Sequence, residues 1–221
     1  MRLIFDLDGT LVDSLPTMLA SANLMLAEQG RAPVSPEVCA EFVGHGVRAL
    51  VTRLLGATGG LPAVGVGPAL ARYQTLYAAN PVEGTLVYPG VAEALAALAA
   101  AGHGLGVCTQ KPNAPALAIL RGLSLMPPVT GFTGGDSIDV LKPDPRMFFH
   151  AAAQLPEGPG VMIGDTLIDA QVAQAAKVPF LLRLDGYGEL PDESVPVAGR
   201  FQHFDELPEL VSRLLPAATA S

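Results

Sequence analysis

Cysteine, long apolar runs and positive charge are all scarce in this sequence. Cys39 and Cys108 are its two cysteines, far apart and without the spacing of metal ligands. That excludes a disulfide framework and a cysteine-based metal site, and leaves two reduced, buried thiols as the reading. No stretch approaches the roughly 18 consecutive apolar residues that a membrane-crossing helix needs. The apolar run Leu3-Ile4-Phe5 ahead of Asp6 is too short for a secretory signal. The expectation is a cytoplasmic protein without a membrane partner. Thirteen basic residues face 21 acidic ones, for a net charge of −8. Nucleic acid and anionic membrane surfaces are therefore poor partners, and an anionic substrate must be met by local positive charge. Linkers, internal repeats and low-complexity segments are missing too. The alanine-rich run Ala94–Ala101 reads as a helix packed closely on a sheet.

Half of the residues are hydrophobic, enough for a substantial core in a chain of 221 residues. Residues 2–7 read as a buried strand. Residues 14–84 then change character, with helical periodicity at Leu15, Met18, Leu19, Ala22 and Leu26 and again at Val47, Leu50, Val51 and Leu54. In this window Arg31, Arg48, Arg53 and Arg72 balance Glu28, Glu37, Glu41 and Glu83, so the net negative charge lies outside it. A Gly- and Pro-rich loop from Gly56 to Pro68 divides the insert. From Tyr88 onward helices and short strands alternate: a helix over 91–101, a strand over 105–109, a helix over 114–121 and a strand near Phe132 and Thr133. A helix over 145–155, a strand over 161–163, a helix over 167–176 and a last strand over 180–182 follow. Alternation of this kind predicts βαβ units and a parallel sheet covered on both faces. The small, polar tail Pro216–Ser221 is expected to fray.

The chemistry sits at the ends of the strands. In an extended strand, residues i and i+2 share a face, so Asp6 and Asp8 project together from the end of the first strand. Two carboxylates so close repel unless something offsets their charge. A hard divalent cation held by oxygen ligands does so, and Mg2+ is the usual one at phosphoryl sites. Gly9 permits a tight turn whose N–H groups are free to meet an anion. The second strand ends in Thr109-Gln110-Lys111-Pro112, and the strand at 161–163 ends in Gly164-Asp165-Thr166-Leu167-Ile168-Asp169. Between them, Lys142-Pro143-Asp144-Pro145 offers a lysine kept extended by the proline that follows. Each feature is weak alone. In this order they describe one site beyond the carboxyl ends of a parallel sheet.

The ordered set resembles the haloacid dehalogenase superfamily over essentially the whole chain, and within it the phosphoglycolate phosphatases, which carry a helical cap after the first motif. The resemblance implies an α/β, Rossmann-like, doubly wound parallel core formed by residues 1–13 and 85–221, with an inserted α-helical cap at 14–84. It implies a phosphomonoester hydrolase acting on a small phosphorylated, anionic metabolite such as 2-phosphoglycolate. Asp6 would be the nucleophile that forms an aspartyl-phosphate, and Asp8 the acid and then the base. Thr109, with Gly9, Thr10 and Gln110 beside it, would bind the phosphoryl end, and Lys142 would neutralise charge. Mg2+ would be held by Asp6, the backbone carbonyl of Asp8 and Asp165, with Asp169 as a support or through-water ligand. Two positions depart from the common pattern: Gln110 where relatives often have Asn, and Lys177 where they often have Gly.

Residue 8 separates reaction classes. Members that remove halide lack the second aspartate, and members that cleave phosphonates replace it and add a cap lysine. Here residue 8 is Asp and residues 14–84 contain no lysine. A β-phosphoglucomutase-like mutase keeps both aspartates and remains open, as does a non-catalytic phosphate-binding module. A receiver domain is shorter and has no helical insert. Substrate selection is expected from Phe42-Val43-Gly44-His45-Gly46-Val47-Arg48, where glycines and a helix N-terminus would bring His45 and Arg48 to a second anionic group. His103, His150 and His203 show no pairing pattern. The chain would act as a monomer or homodimer.

Overall fold

A computed structural model describes residues 1–192 and 194–215. The tail Pro216–Ser221 lies outside them. Strand β1 (Arg2–Phe5) is followed by the two-residue strand β2 (Val12–Asp13) and four helices, α1 (Leu15–Ala27), α2 (Pro36–Glu41), α3 (Val47–Ala57) and α4 (Gly67–Ala79). Strand β3 (Leu86–Val87) then pairs antiparallel with β2. Next come α5 (Val91–Ala100), β4 (Gly104–Cys108), α6 (Asn113–Gly122), β5 (Gly131–Thr133) and α7 (Arg146–Ala152). The described chain closes with β6 (Gly160–Gly164), α8 (Leu167–Ala176), β7 (Phe180–Arg183), β8 (Gly199–Phe201), a short 3-10 turn and α9 (Leu207–Arg213).

Six of the strands form one sheet in the order β5-β4-β1-β6-β7-β8, and every neighbouring pair in it is parallel. Alternation along the strands explains why both faces are covered. Leu3 and Phe5 join one apolar cluster while Ile4 joins another. Val161 and Ile163 part from Met162 in the same way, and Leu181 from Phe180 and Leu182. Side chains of α5, α6 and α9 fill the first cluster, and those of α7 and α8 the second. Burying one such Leu, Ile or Phe contributes about 1.5–3 kcal/mol, so both layers are needed to hold β1 at the centre. The result is a Rossmann-like, doubly wound α/β sheet. Beside it, α1 to α4 share a third cluster that includes Met25, Leu26, Val51, Leu54 and Tyr73 and that also takes in Tyr187. Among the described residues no helix is long and apolar enough to cross a membrane.

Three local differences from the sequence expectation have physical causes. Phe180–Arg183 is not the last strand, because β8 adds an edge. Of its three residues only Phe201 is buried, too little for a period to show. The helix expected to reach residue 155 stops at Ala152, where Gln154 and Leu155 donate to Ala151 and Ala152 and tighten the last turn. Helix α2 has no apolar period, yet Ser35 caps it by accepting from the Val38 N–H and Pro36 opens it. The departure at Lys177 leaves the helix ending in place, since Lys177 itself takes the left-handed conformation at φ 56° that closes α8.

Candidate active site

The carboxyl ends of β1, β4 and β6 bring the polar segments to one edge of the sheet. Asp6 and Asp8 follow β1 and line one side of a cavity of about 230 Å³. Thr109, Gln110 and Lys111 follow β4 and line it as well, together with Lys142. Lys142 is the hub. Its Nζ lies 2.9 Å from Asp6 Oδ2 and 2.7 Å from Asp169 Oδ1, and its side chain is almost wholly buried. The bond from Lys142 to Pro143 is cis. Asp169 is doubly engaged: its Oδ2 also accepts from the N–H and hydroxyl of Thr166, at 3.2 and 2.7 Å, which closes a capping box at the start of α8. Asp165 accepts from the Thr10 hydroxyl at 2.6 Å and from the Tyr187 N–H at 2.7 Å. Asp8 accepts from Lys111 Nζ at 2.7 Å and from the Ser14 hydroxyl.

Oxygens of Asp6, Asp165 and Asp169 lie within 4.8 Å of one another, all three residues buried. Two of these carboxylates are strained by their surroundings. Burial, opposed by Lys142 and reinforced by Asp169 and Asp8, pushes Asp6 from the ordinary 3.8 up to about 7. Burial and the charges of Asp169 and Asp6 also push Asp165 well upward. An all-oxygen donor set with unrelieved negative charge suits a hard divalent cation. Lys142 and Lys111 are raised by their carboxylate partners, against the cost of burial, and stay charged. Burial alone raises the Cys39 thiol to about 11, and Cys108 is raised to about 12 mainly by burial, so neither is a ready nucleophile.

These shifts set a pH dependence. Between its unfolded value of 3.8 and its folded value of about 7, Asp6 holds more proton in the native state than in the unfolded one. Rising pH therefore favours unfolding of the metal-free protein through this window. In EDTA the urea midpoint is expected to be lower at pH 8 than at pH 5, and a divalent cation is expected to recover most of the difference. A midpoint that climbs across this range would contradict the assignment.

The structure corrects several sequence expectations. The turn at Gly9 does not leave its N–H free, since that group donates to the Val12 carbonyl at 2.9 Å. Neither Gly9 nor Thr10 lines the cavity. Thr10 gives its hydroxyl to Asp165, and a Cβ on Gly9 would overlap the same carboxylate. Their contribution is to position Asp165. Gln110 lines the cavity, but its amide donates to the Gly44 carbonyl and ties the β4 loop to the α2–α3 loop. His45 and Arg48 do not reach the cavity. Both are exposed, and His45 borders a smaller neighbouring hollow beside Thr166 and Glu189. The expectation that they meet a substrate there is not supported by this arrangement. Thr109 directly follows β4, Lys142 lies in the loop between β5 and α7, and Asp169 sits in the first turn of α8.

Some contributors were not foreseen. Gly186-Tyr187-Gly188 had no assigned role, yet Tyr187 holds Asp165 through its N–H and bonds Asp13 through its hydroxyl. A side chain at Gly186 would overlap Asp165, so only glycine lets this loop approach. Arg183 donates to the Gly9 carbonyl at 2.6 Å and stacks on Tyr88, 3.7 Å from the ring centre. Tyr73 and Tyr77 of α4 enter the cavity from the helical side. The Gly-Tyr-Gly triplet was the one visible signal among these.

The haloacid dehalogenase-like hydrolase family model matches residues 2–177. A phosphoglycolate phosphatase of Cereibacter sphaeroides is 40% identical over 213 residues, covering 96% of this chain and 98% of its own. One from Rhodospirillum rubrum is 39% identical, covering 92% and 88%. Among solved structures, a predicted phosphoglycolate phosphatase from Haemophilus somnus superimposes with a TM-score of 0.86 at 25% identity, covering 95% of this chain and 97% of its own. Fold, strand-end chemistry and sequence agree: this chain belongs to the haloacid dehalogenase-like hydrolases.

Proposed function

We propose that this protein is a Mg2+-dependent phosphomonoester hydrolase of the cytoplasm, acting through an aspartyl-phosphate on small anionic metabolites, 2-phosphoglycolate first among them. The observation that carries this reading is the pairing of Lys142 with Asp6 in a cavity shared by Asp8 and Thr109. The names of the relatives support the substrate. Helices α1–α4, within residues 14–84, serve as a cap over a core of residues 1–13 and 85–221.

Asp6, Asp165 and the backbone carbonyl of Asp8 would hold Mg2+, which when bound neutralises charge on the phosphoryl group. Asp6 attacks phosphorus while the ester P–O bond breaks, and Asp8 gives its proton to the leaving oxygen. Water then attacks the phosphorus of the aspartyl-phosphate and passes a proton to Asp8. The bond to Asp6 breaks and inorganic phosphate leaves. Lys142 keeps Asp6 oriented and offsets the charge of the transferring group, Thr109 contacts its oxygens, and Asp169 fixes Lys142. Apolar cavity walls from α1 and α3 exclude bulk water.

The test is phosphate release from 2-phosphoglycolate and from hexose phosphates, with Mg2+ and with EDTA. Release that needs the metal, with 2-phosphoglycolate ranked first, is expected. Folded, metal-supplied protein that releases phosphate from none of them would overturn the proposal, and sugar isomerisation without release would mark a mutase.

A further inference from the structure

We propose that Lys111 and Tyr77 together form the seat for the substrate's second, non-reacting anionic group, and so select phosphate esters of short hydroxy acids over neutral esters. This inference rests on the hydrolase reading above and names the residues that choose its substrate.

A charge inventory of the cavity leads to it. Its charged lining consists of Asp6, Asp8, Lys111 and Lys142 among the described residues. Asp6 and Asp169 take two of the three donors of Lys142, and the third is committed to the transferring phosphoryl group. Lys111 has one carboxylate partner, Asp8. An ammonium carries three donors, so the bond to Asp8 does not exhaust it. His45 and Arg48, the other cations near the helical side, are exposed and outside the cavity.

Tyr77 supplies an independent observation. Its side chain lines the cavity from α4, it is only 6% exposed, and its hydroxyl makes no well-formed hydrogen bond among the described residues, with Lys111 and Thr85 as its polar neighbours. A buried hydroxyl without a well-formed hydrogen bond is costly, and beside Lys111 it is placed to meet a ligand that the ammonium holds. Lys111 Nζ stands over the Tyr77 ring, 4.7 Å from its centre, which keeps the ammonium and the phenol at one locus. Around them Met18, Val47 and Leu50 are apolar and offer no competing site.

The locus also limits the length of the substrate. Lys111 Nζ is one hydrogen bond, 2.7 Å, from Asp8. If Asp8 serves the leaving oxygen, an anion seated on Lys111 lies only a few ångströms from that oxygen. A carboxylate bonded directly to the ester carbon fits this spacing. A second phosphate at the far end of a sugar does not.

The experiment compares kcat/KM, with Mg2+ present, for 2-phosphoglycolate and for its neutral counterpart, the phosphate ester of glycolamide. Wild type is expected to prefer the carboxylate by about tenfold or more. Tyr77→Phe keeps the ring and its packing, and is expected to lose about five- to tenfold on the carboxylate, mainly in KM. On the amide it is expected to stay within about twofold, because a lost contact to the anion is invisible to a substrate without one. Lys111→Gln, which also touches Asp8, is expected to slow both esters and bring their ratio close to one. Equal losses on both esters for Tyr77→Phe, or no loss on either, overturn the proposal. So does a wild type that treats both esters alike, which leaves the hydrolase reading standing. Hydrolysis of neither ester overturns this inference, and the hydrolase reading falls with it when hexose phosphates are not hydrolysed either.

Discussion

Replacing Asp6 with asparagine is expected to abolish phosphate release while leaving the metal-free protein at least as stable as wild type at pH 8. The two halves have separate causes. The amide isostere keeps the shape but cannot form the aspartyl-phosphate, and loss of a nucleophile costs roughly a thousandfold or more. For stability, the carboxylate is at a disadvantage where it stands, since burial outweighs the help of Lys142 and raises it to about 7. Above that pH the native protein carries an ionised group its surroundings disfavour, and asparagine removes the penalty. Lys142 keeps Asp169, 2.7 Å away, so the substitution leaves no unpaired cation. Thermal melts in EDTA at pH 8 are expected to show the variant level with wild type or a few degrees above. With Mg2+ the order is expected to reverse, because the variant has lost a ligand. Retained turnover would remove Asp6 from the role of nucleophile, and a variant that melts lower in EDTA would mean that its pairing with Lys142 outweighs desolvation.

Much of this arrangement was legible because strand ends leave a mark in sequence. Leu3-Ile4-Phe5 is apolar on both sides, and the switch to Asp6 and Asp8 marks where the sheet stops and chemistry begins. Val161-Met162-Ile163 followed by Gly164-Asp165 repeats the pattern. Neighbouring parallel strands then carry both sets to the same edge, a consequence of register that runs Phe5 beside Val107 and Ile163. What stayed hidden are contacts that depend on distance in three dimensions. Arg183 lies 174 residues from the Gly9 carbonyl that it holds, and the Tyr187 N–H 22 residues from Asp165. No local period encodes either. The expectation about His45 and Arg48 went astray for a related reason. A glycine-flanked loop before a helix is compatible with an anion site, but which side it presents is decided by packing. Here Gln110 takes the Gly44 carbonyl, and the two cationic side chains face outward. Lys111, one residue beyond that glutamine, holds the interior position instead.

Replacing Lys142 with methionine is expected to produce the largest loss of stability of any single substitution in the site. Methionine keeps the length and apolar stem of lysine, so what changes is the charge. Asp6 and Asp169 both contact that ammonium, and its side chain is only 2% exposed, so no water replaces it. Removing one member of a buried ion pair costs about 3–5 kcal/mol, chiefly because the partner's charge is left unpaired. Here two carboxylates are stranded, with Asp165 close by. Arg72→Met makes a suitable comparison, since Arg72 and Glu28 form a bidentate pair of similar distances on the surface. Exposed pairs are screened by solvent, and that variant is expected to unfold with wild type. Urea unfolding at pH 8 in EDTA should therefore show a sharp drop in midpoint for Lys142→Met alone, with an unchanged slope. The deficit is expected to shrink towards pH 5, where the stranded carboxylates can take up protons, and to shrink again when Mg2+ supplies the missing positive charge. A Lys142→Met protein that unfolds with wild type under all three conditions would mean that the carboxylate cluster is relieved by something other than this lysine. Lys142 would then lose its part in offsetting the negative charge of the site during catalysis.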